Sequence, residues 1–142
     1  MPYILADTGV WYALCDSRDS LHSKALSGSG LLEQHHVVLP WPVVYETLCT
    51  RFVRNRRALH RFVGLLKRPR IEYLDDSMYV QTAFDIAIES SLNQARPLSM
   101  IDCAIRLILD DVNTRVDYLM TFNPGDFLDV CERRRIRLVE PA

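Results

Sequence analysis

Short strand-like runs alternate with longer helical patterns along this chain, and that alternation constrains its fold more than any other feature. Residues 3–6, 37–39, 71–74, 116–121 and 136–139 are brief apolar or β-branched runs of the length a buried strand needs. Between them, residues 20–34, 56–67, 77–93 and 99–111 carry helical patterns, the last apolar nearly all round. Gly28 and Gly30 weaken the middle of the first. Pro42 suits a first helical turn, and Val44, Leu48 and Phe52 follow at i, i+4 and i+8 as one apolar stripe. Strands separated by helices imply right-handed crossovers, a mainly parallel sheet of about five strands and helices on both faces, an α/β/α sandwich. Ligands of such sheets bind outside the carboxyl ends of the strands, where the strand order reverses.

The 142 residues suit a single domain, 1–142, with a core that needs no staples. No apolar run approaches the ~20 residues needed to span a bilayer, and the amino end has neither a basic region nor a cleavage site. Cys15, Cys49, Cys103 and Cys131 form no C-x-x-C pair and sit in apolar contexts, as buried thiols of a reducing compartment do. A cytoplasmic domain is the expectation.

Four acidic positions ask for an explanation. Asp7-Thr8-Gly9 follows the first strand-like run and admits three readings: an aspartic-protease loop, a cap for a helix beginning near Val10, or one ligand of a metal site. Ser99 and Asp102 have capping-box spacing, and Asp102 lies four residues before Arg106, the spacing of a helical ion pair. A helical projection nevertheless sets Asp102 beside Leu98, Ile105 and Leu109, and a buried charge needs a partner or a metal. Asn123-Pro124-Gly125-Asp126 reads as a type II turn after a strand, with Asp126 capping a short helix over 127–132. Glu46 is neither cap nor turn and falls at the edge of the apolar stripe, where a neighbouring arginine such as Arg54 is one available partner. Two carboxylates ~4 Å apart repel by roughly 4 kcal/mol at an effective dielectric of 20, so their convergence would call for a cation. Oxygen ligands without His or Cys suit Mg²⁺ or Mn²⁺.

All but Lys24 and Lys67 of the 17 basic residues are arginines, many of them between Arg51 and Arg61. Guanidinium groups donate paired hydrogen bonds to phosphate, so the cluster permits a nucleic-acid partner; a solvated helix face explains it equally well. The protease reading fails on number. Two aspartates must share a proton, one Asp-Thr-Gly is present, and the helical patterns oppose a β-rich architecture.

Four segments taken in order resemble the PIN domains, and in size the VapC-type toxin ribonucleases: Ile4-Leu5-Ala6-Asp7-Thr8, Val43-Val44-Tyr45-Glu46, Leu98-Ser99-Met100-Ile101-Asp102-Cys103-Ala104 and Leu119-Met120-Thr121-Phe122-Asn123-Pro124-Gly125-Asp126-Phe127. The resemblance runs from Ile4 to Val139. It implies a Mg²⁺- or Mn²⁺-dependent endoribonuclease with Asp7, Glu46 and Asp102 as acidic metal-site residues and Asn123 or Asp126 at the fourth position. Thr8 and Ser99 would lie behind these ligands, with Ser99 orienting Asp102. Separately from the resemblance, the arginine stretch begins one helical turn after Glu46, a position expected to set Arg51, Arg54 and Arg57 beside the acids, where an RNA backbone passes. The resemblance also implies a homodimer and a co-encoded antitoxin. The alternative it leaves is a catalytically weak PIN-like module that binds RNA or protein. Two residues depart from the family pattern: Gly9, and Asn123 where many members carry an acid.

Overall fold

The computed structural model describes residues Met1–Ala142. Five strands form one sheet: β1 (Tyr3–Ala6), β2 (His36–Pro40), β3 (Ile71–Leu74), β4 (Tyr118–Met120) and β5 (Arg137–Val139). Every pairing is parallel, and the spatial order is β3-β2-β1-β4-β5. The intervening helices are α1 (Thr8–Cys15), α2 (His22–Gln34), α3 (Trp41–Thr47), α4 (Thr50–Val53), α5 (Arg56–Leu66), α6 (Val80–Asn93), α7 (Met100–Asp110) and α8 (Leu128–Arg134). The sheet grows outward from β1 through β2 to β3, then crosses back to add β4 and β5 on the other side. Right-handed crossovers in the two directions put the helices on opposite faces, as the alternating sequence pattern predicts. The reversal falls between β1 and β4, whose last residues, Ala6 and Met120, are in register. A crevice is therefore expected at these two carboxyl ends.

Ile4, Leu5, Leu39, Leu119 and Met120 have no accessible surface and form the centre of the core. Trp11 fixes α1 to this centre: its indole N–H donates to the Ala6 carbonyl at 3.2 Å, and its ring meets Phe62 of α5 edge-on at 5.7 Å. Gly28 lets α2 lie close to the sheet, because a Cβ there would meet the Met120 methyl at 3.2 Å and Pro141 at 3.3 Å. That close approach accounts for a glycine inside a helix.

The boundaries differ from the sequence expectation in two places. The stripe of Val44, Leu48 and Phe52 does not lie on one continuous helix. The chain leaves helical geometry at Leu48 and is extended at Cys49 before α4 begins. The break turns Phe52 into the core against Tyr12 and Phe62 and leaves Leu48 exposed. Helix α6 starts at Val80, because residues 77–79 are held in a turn: Ser77 N–H donates to Asp75, and Tyr79 N–H to the Asp76 carbonyl. All four cysteines are free, with Cys15, Cys103 and Cys131 buried and Cys49 half-buried. No helix is long and apolar enough to cross a membrane.

Replacing Trp11 by Phe keeps an aromatic ring and removes the donor to Ala6. The variant is expected to lose about 1–3 kcal/mol of stability, read from urea unfolding.

Candidate active site

Asp7 follows β1 directly at its carboxyl end. Its backbone N–H donates to the Met120 carbonyl at 3.0 Å, which extends the β1–β4 ladder by one residue. The residue is extended and caps α1, accepting the Thr8 N–H at 2.8 Å. Its second carboxylate oxygen accepts the Thr121 hydroxyl at 3.1 Å, and Thr121 in turn accepts the Asn123 N–H at 3.0 Å. Asp7 is thus a helix cap and also a carboxylate only 7% exposed at the switch in strand order. Burial pushes its pKa from 3.8 up to about 6, with the charges of Asp102 and Glu46 adding to the rise. The hydrogen bonds from Thr8 and Thr121 oppose it.

Glu46 is half-buried near the end of α3. The Tyr12 hydroxyl of α1 donates to its backbone carbonyl and so ties α3 to α1. Its side chain forms no ion pair with Arg54 or any other arginine, and its charge reaches Asp7.

Asp102 stands in the first turn of α7, where the Ser99 hydroxyl accepts its N–H at 3.1 Å. The neighbouring Ser99 favours the charged form of the Asp102 carboxylate. Burial outweighs this effect and raises the Asp102 pKa, and the charge of Asp126 raises it further. The ion pair with Arg106 suggested by spacing is not formed. Arg106 reaches α8 instead, with two parallel bonds to Asp129 at 2.8 and 2.7 Å and a third to the Asp126 carbonyl at 2.7 Å. A bidentate partner on another helix wins over a single carboxylate one turn away.

The segment from Asn123 to Asp126 is not a type II turn. Gly125 does not have positive φ, and Pro124–Asp126 forms a 3-10 turn. Nor does Asp126 cap α8, which begins at Leu128 without a side-chain cap. Its carboxylate is taken by Arg96 at 3.0 Å. Asn123 is exposed, and its side chain bonds to no other group.

The arginines lie elsewhere. Arg51 pairs with Asp16 at 3.1 Å and Asp19 at 3.5 Å, and its guanidinium covers the Tyr12 ring. Arg54 and Arg57 line a cleft with Cys15 and Asp16, beyond the carboxyl end of α1. Asp7 is at the other end of that helix, about 12 Å away along its axis.

Asp7, Glu46, Asp102 and Asp126 form a chain of mutual repulsion: Asp7 feels Glu46 and Asp102, and Asp102 feels Asp126. No three of them meet at one point closely enough to ligate a bare ion. The donor set nevertheless suits a hard divalent cation. All its ligands are oxygens, two of the carboxyls have raised pKa values, and Mg²⁺ commonly keeps several waters that bridge such gaps. The buried Thr8 hydroxyl beside Asp7 has no hydrogen-bond partner and is a further oxygen donor. The sequence reading missed two residues. Thr121 carried a signal, a hydroxyl directly after an apolar strand; Arg96, between α6 and α7, carried none.

No family model matches the sequence, and no curated protein matches it. Solved structures do. VapC20 of Mycobacterium tuberculosis, a Sarcin-Ricin loop cleaving toxin, is similar with a TM-score of 0.66 at 17% identity, over 89% of this chain and 94% of that one. The chain has the PIN-like fold of the VapC toxins. VapBC2 from Rickettsia felis, bound to a DNA fragment from their promoter, is similar with a TM-score of 0.57 at 14% identity, over 97% of this chain and 98% of that one. FitAB bound to the IR36 DNA fragment is similar with a TM-score of 0.56 at 17% identity, over 97% of this chain and 94% of that one. At these identities the likeness is one of PIN-like fold.

Two outcomes follow from the charges. In EDTA, folded protein holds a proton on Asp7 between pH 3.8 and about 6 that unfolded protein has released, so this group's contribution to stability falls as pH rises through that window. The loss is about 3 kcal/mol at 1.36 kcal/mol per pKa unit, and it levels off above pH 6. Asp7→Asn should remove that decline and melt higher than wild type at pH 7.5; parallel stability curves for the two proteins would contradict the assignment. Arg96→Gln removes the cation that occupies Asp126. Its Mn²⁺ affinity by calorimetry should rise by up to about fivefold, since an exposed ion pair is worth at most about 1 kcal/mol.

Proposed function

We propose that this protein is a metal-dependent endoribonuclease and the toxin of a type II toxin–antitoxin pair. The observation that carries the reading is Asp7: a carboxylate buried at the β1–β4 switch point of a PIN-like sheet, repelled by Glu46 and Asp102. Burial first, and these like charges after it, raise the Asp7 pKa, and a carboxylate so placed gains from a cation. The fold shared with VapC20, a Sarcin-Ricin loop cleaving toxin, supports RNA as substrate. The fold shared with VapBC2 and FitAB supports an antitoxin partner.

Asp7, Glu46 and Asp102 would hold Mg²⁺ or Mn²⁺, with Asp126 or Asn123 at the fourth position. A cation bound there supplies Lewis-acid neutralisation of the scissile phosphodiester and acidifies the attacking water. The residues of the chain supply placement. Thr121 and the Thr8 N–H fix both oxygens of Asp7, and Ser99 holds Asp102 at the head of α7. Glu46, whose side chain has no protein partner, orients the water. Attack at phosphorus breaks one P–O bond, and the water's proton leaves with the departing oxygen.

A second reading, a PIN-like module that binds RNA or protein without cutting, is favoured by two observations. Asn123 contributes no charge, and Arg96 already neutralises Asp126. Cleavage separates the two readings. Purified protein incubated with structured RNA should cut with Mn²⁺ and be silent in EDTA. Asp7→Asn and Glu46→Gln should lower the rate by at least about 100-fold while remaining folded, the scale on which loss of a positioned catalytic group is felt. RNA binding without any metal-dependent cleavage would favour the module.

A further inference from the structure

Five of the arginines left unused by the acidic site gather in one place. Arg18, Arg54, Arg56, Arg57 and Arg61 line a cleft of about 390 Å³ together with Ser17, Asn55, Ala58, Cys15 and Asp16. The chain as a whole carries a net charge of −1, so five guanidinium groups around one concavity are a strong local departure. Little on the protein offsets them. Arg18, Arg54, Arg56 and Arg57 make no salt bridge, and Arg61 donates to the Cys15 carbonyl at 3.0 Å. The only carboxylate in the lining, Asp16, is bound by Arg51 from outside the cleft.

The backbone adds to the same field. Helix α5 starts at Arg56, with Asn55 capping the Ala58 N–H at 3.1 Å. The N–H groups of Arg56 and Arg57, the first two of the helix, take no protein partner. A helix of 11 residues brings the positive end of its dipole to the arginines. Ordinary folding gives no reason to collect like charges at a helix start, where acidic residues are preferred.

We propose that this cleft is a phosphate-binding site that holds the backbone of single-stranded RNA about one helix length from the acidic cluster. The choice of phosphate follows from the donors. Planar guanidinium forks and backbone N–H groups match the tetrahedral oxygens of a phosphate, whereas a peptide would need apolar pockets and only Cys15 and Ala58 are apolar here. The proposal rests on the ribonuclease reading for the kind of nucleic acid and leaves the chemistry to Asp7, Glu46 and Asp102. Its contribution is grip: the cleft fixes one part of a strand while another part crosses the β1–β4 crevice.

Binding of a fluorescein-labelled oligouridylate to the Asp7→Asn protein tests the site across a salt series without cleavage. Each phosphate that an arginine no longer neutralises should reduce the log–log slope by about 0.7. Adding Arg54→Gln, Arg56→Gln and Arg57→Gln together should flatten the slope by one such step or more, with the melting temperature retained. A charge-matched control, Lys24→Gln, Lys67→Gln and Arg135→Gln, should leave it nearly unchanged. Tripolyphosphate should displace the oligouridylate from the parent protein, and polyglutamate of equal charge should displace it less. Equal slopes in the two triple variants would overturn the site, as would stronger displacement by polyglutamate, which would make the cleft a surface for an acidic protein. Inorganic phosphate binding as tightly as the oligouridylate would also overturn it, by showing a site for the free ion. Metal-dependent cleavage by protein with a native Asp7 is scored separately, so loss of the cleft and loss of the nuclease reading give different results.

Discussion

The carboxylate of Asp7 sets the terms for the upper surface of this molecule. It is carried there by the ladder that β1 shares with β4, and it is held by two donors from different parts of the chain, the Thr8 N–H and the Thr121 hydroxyl. Neither donor removes the cost of burial, which pushes its pKa to about 6. Folding therefore keeps a destabilised charge at the one place where a parallel sheet of this order opens a crevice. Natural sequences accept such local conflicts where a site needs them.

The layout around Asp7 follows from topology. The order β3-β2-β1-β4-β5 leaves β1 in the middle, with later strands added on the side opposite the earlier ones. Glu46 then arrives from the connection after β2, Asp102 from the helix before β4, and Asp126 from the turn after β4. Residues far apart in sequence share one electrostatic neighbourhood because their elements all begin or end at the same edge of the sheet. The similarity in fold to VapC20, VapBC2 and FitAB at 14–17% identity shows that the sheet architecture persists with little of the sequence in common.

Much of this was legible in the residues. The five strands were visible as short apolar runs, and the Ser99 cap of α7 was visible as spacing. The break at Leu48 was not, because a stripe of period four looks the same whether the helix continues or turns a corner to bury its last member. The partner of Arg106 was misjudged for a related reason. Spacing reports neighbours on one helix, while Asp129 approaches from another with better geometry. Arg96 was invisible for want of any local pattern, since its contact with Asp126 spans two connections. The acidic residues were singled out by chemistry and order; their mutual distances were beyond sequence.

The Tyr12 bond to the Glu46 carbonyl and the Arg106 bond to the Asp126 carbonyl divide the crevice into two pieces. On one side, α1 and α3 carry Asp7 and Glu46 as a unit; on the other, α7 and the turn before α8 carry Asp102 and Asp126. Few polar ties cross between them: Thr121 reaches Asp7, and the remaining acids face one another in repulsion. The repulsion among the acids is thus borne across a seam that the β1–β4 ladder and the Asp7 N–H bond to the Met120 carbonyl hold shut. The backbone thereby carries an electrostatic load that the side chains of the crevice leave uncompensated, with strand pairing rather than ion pairing as its counterweight.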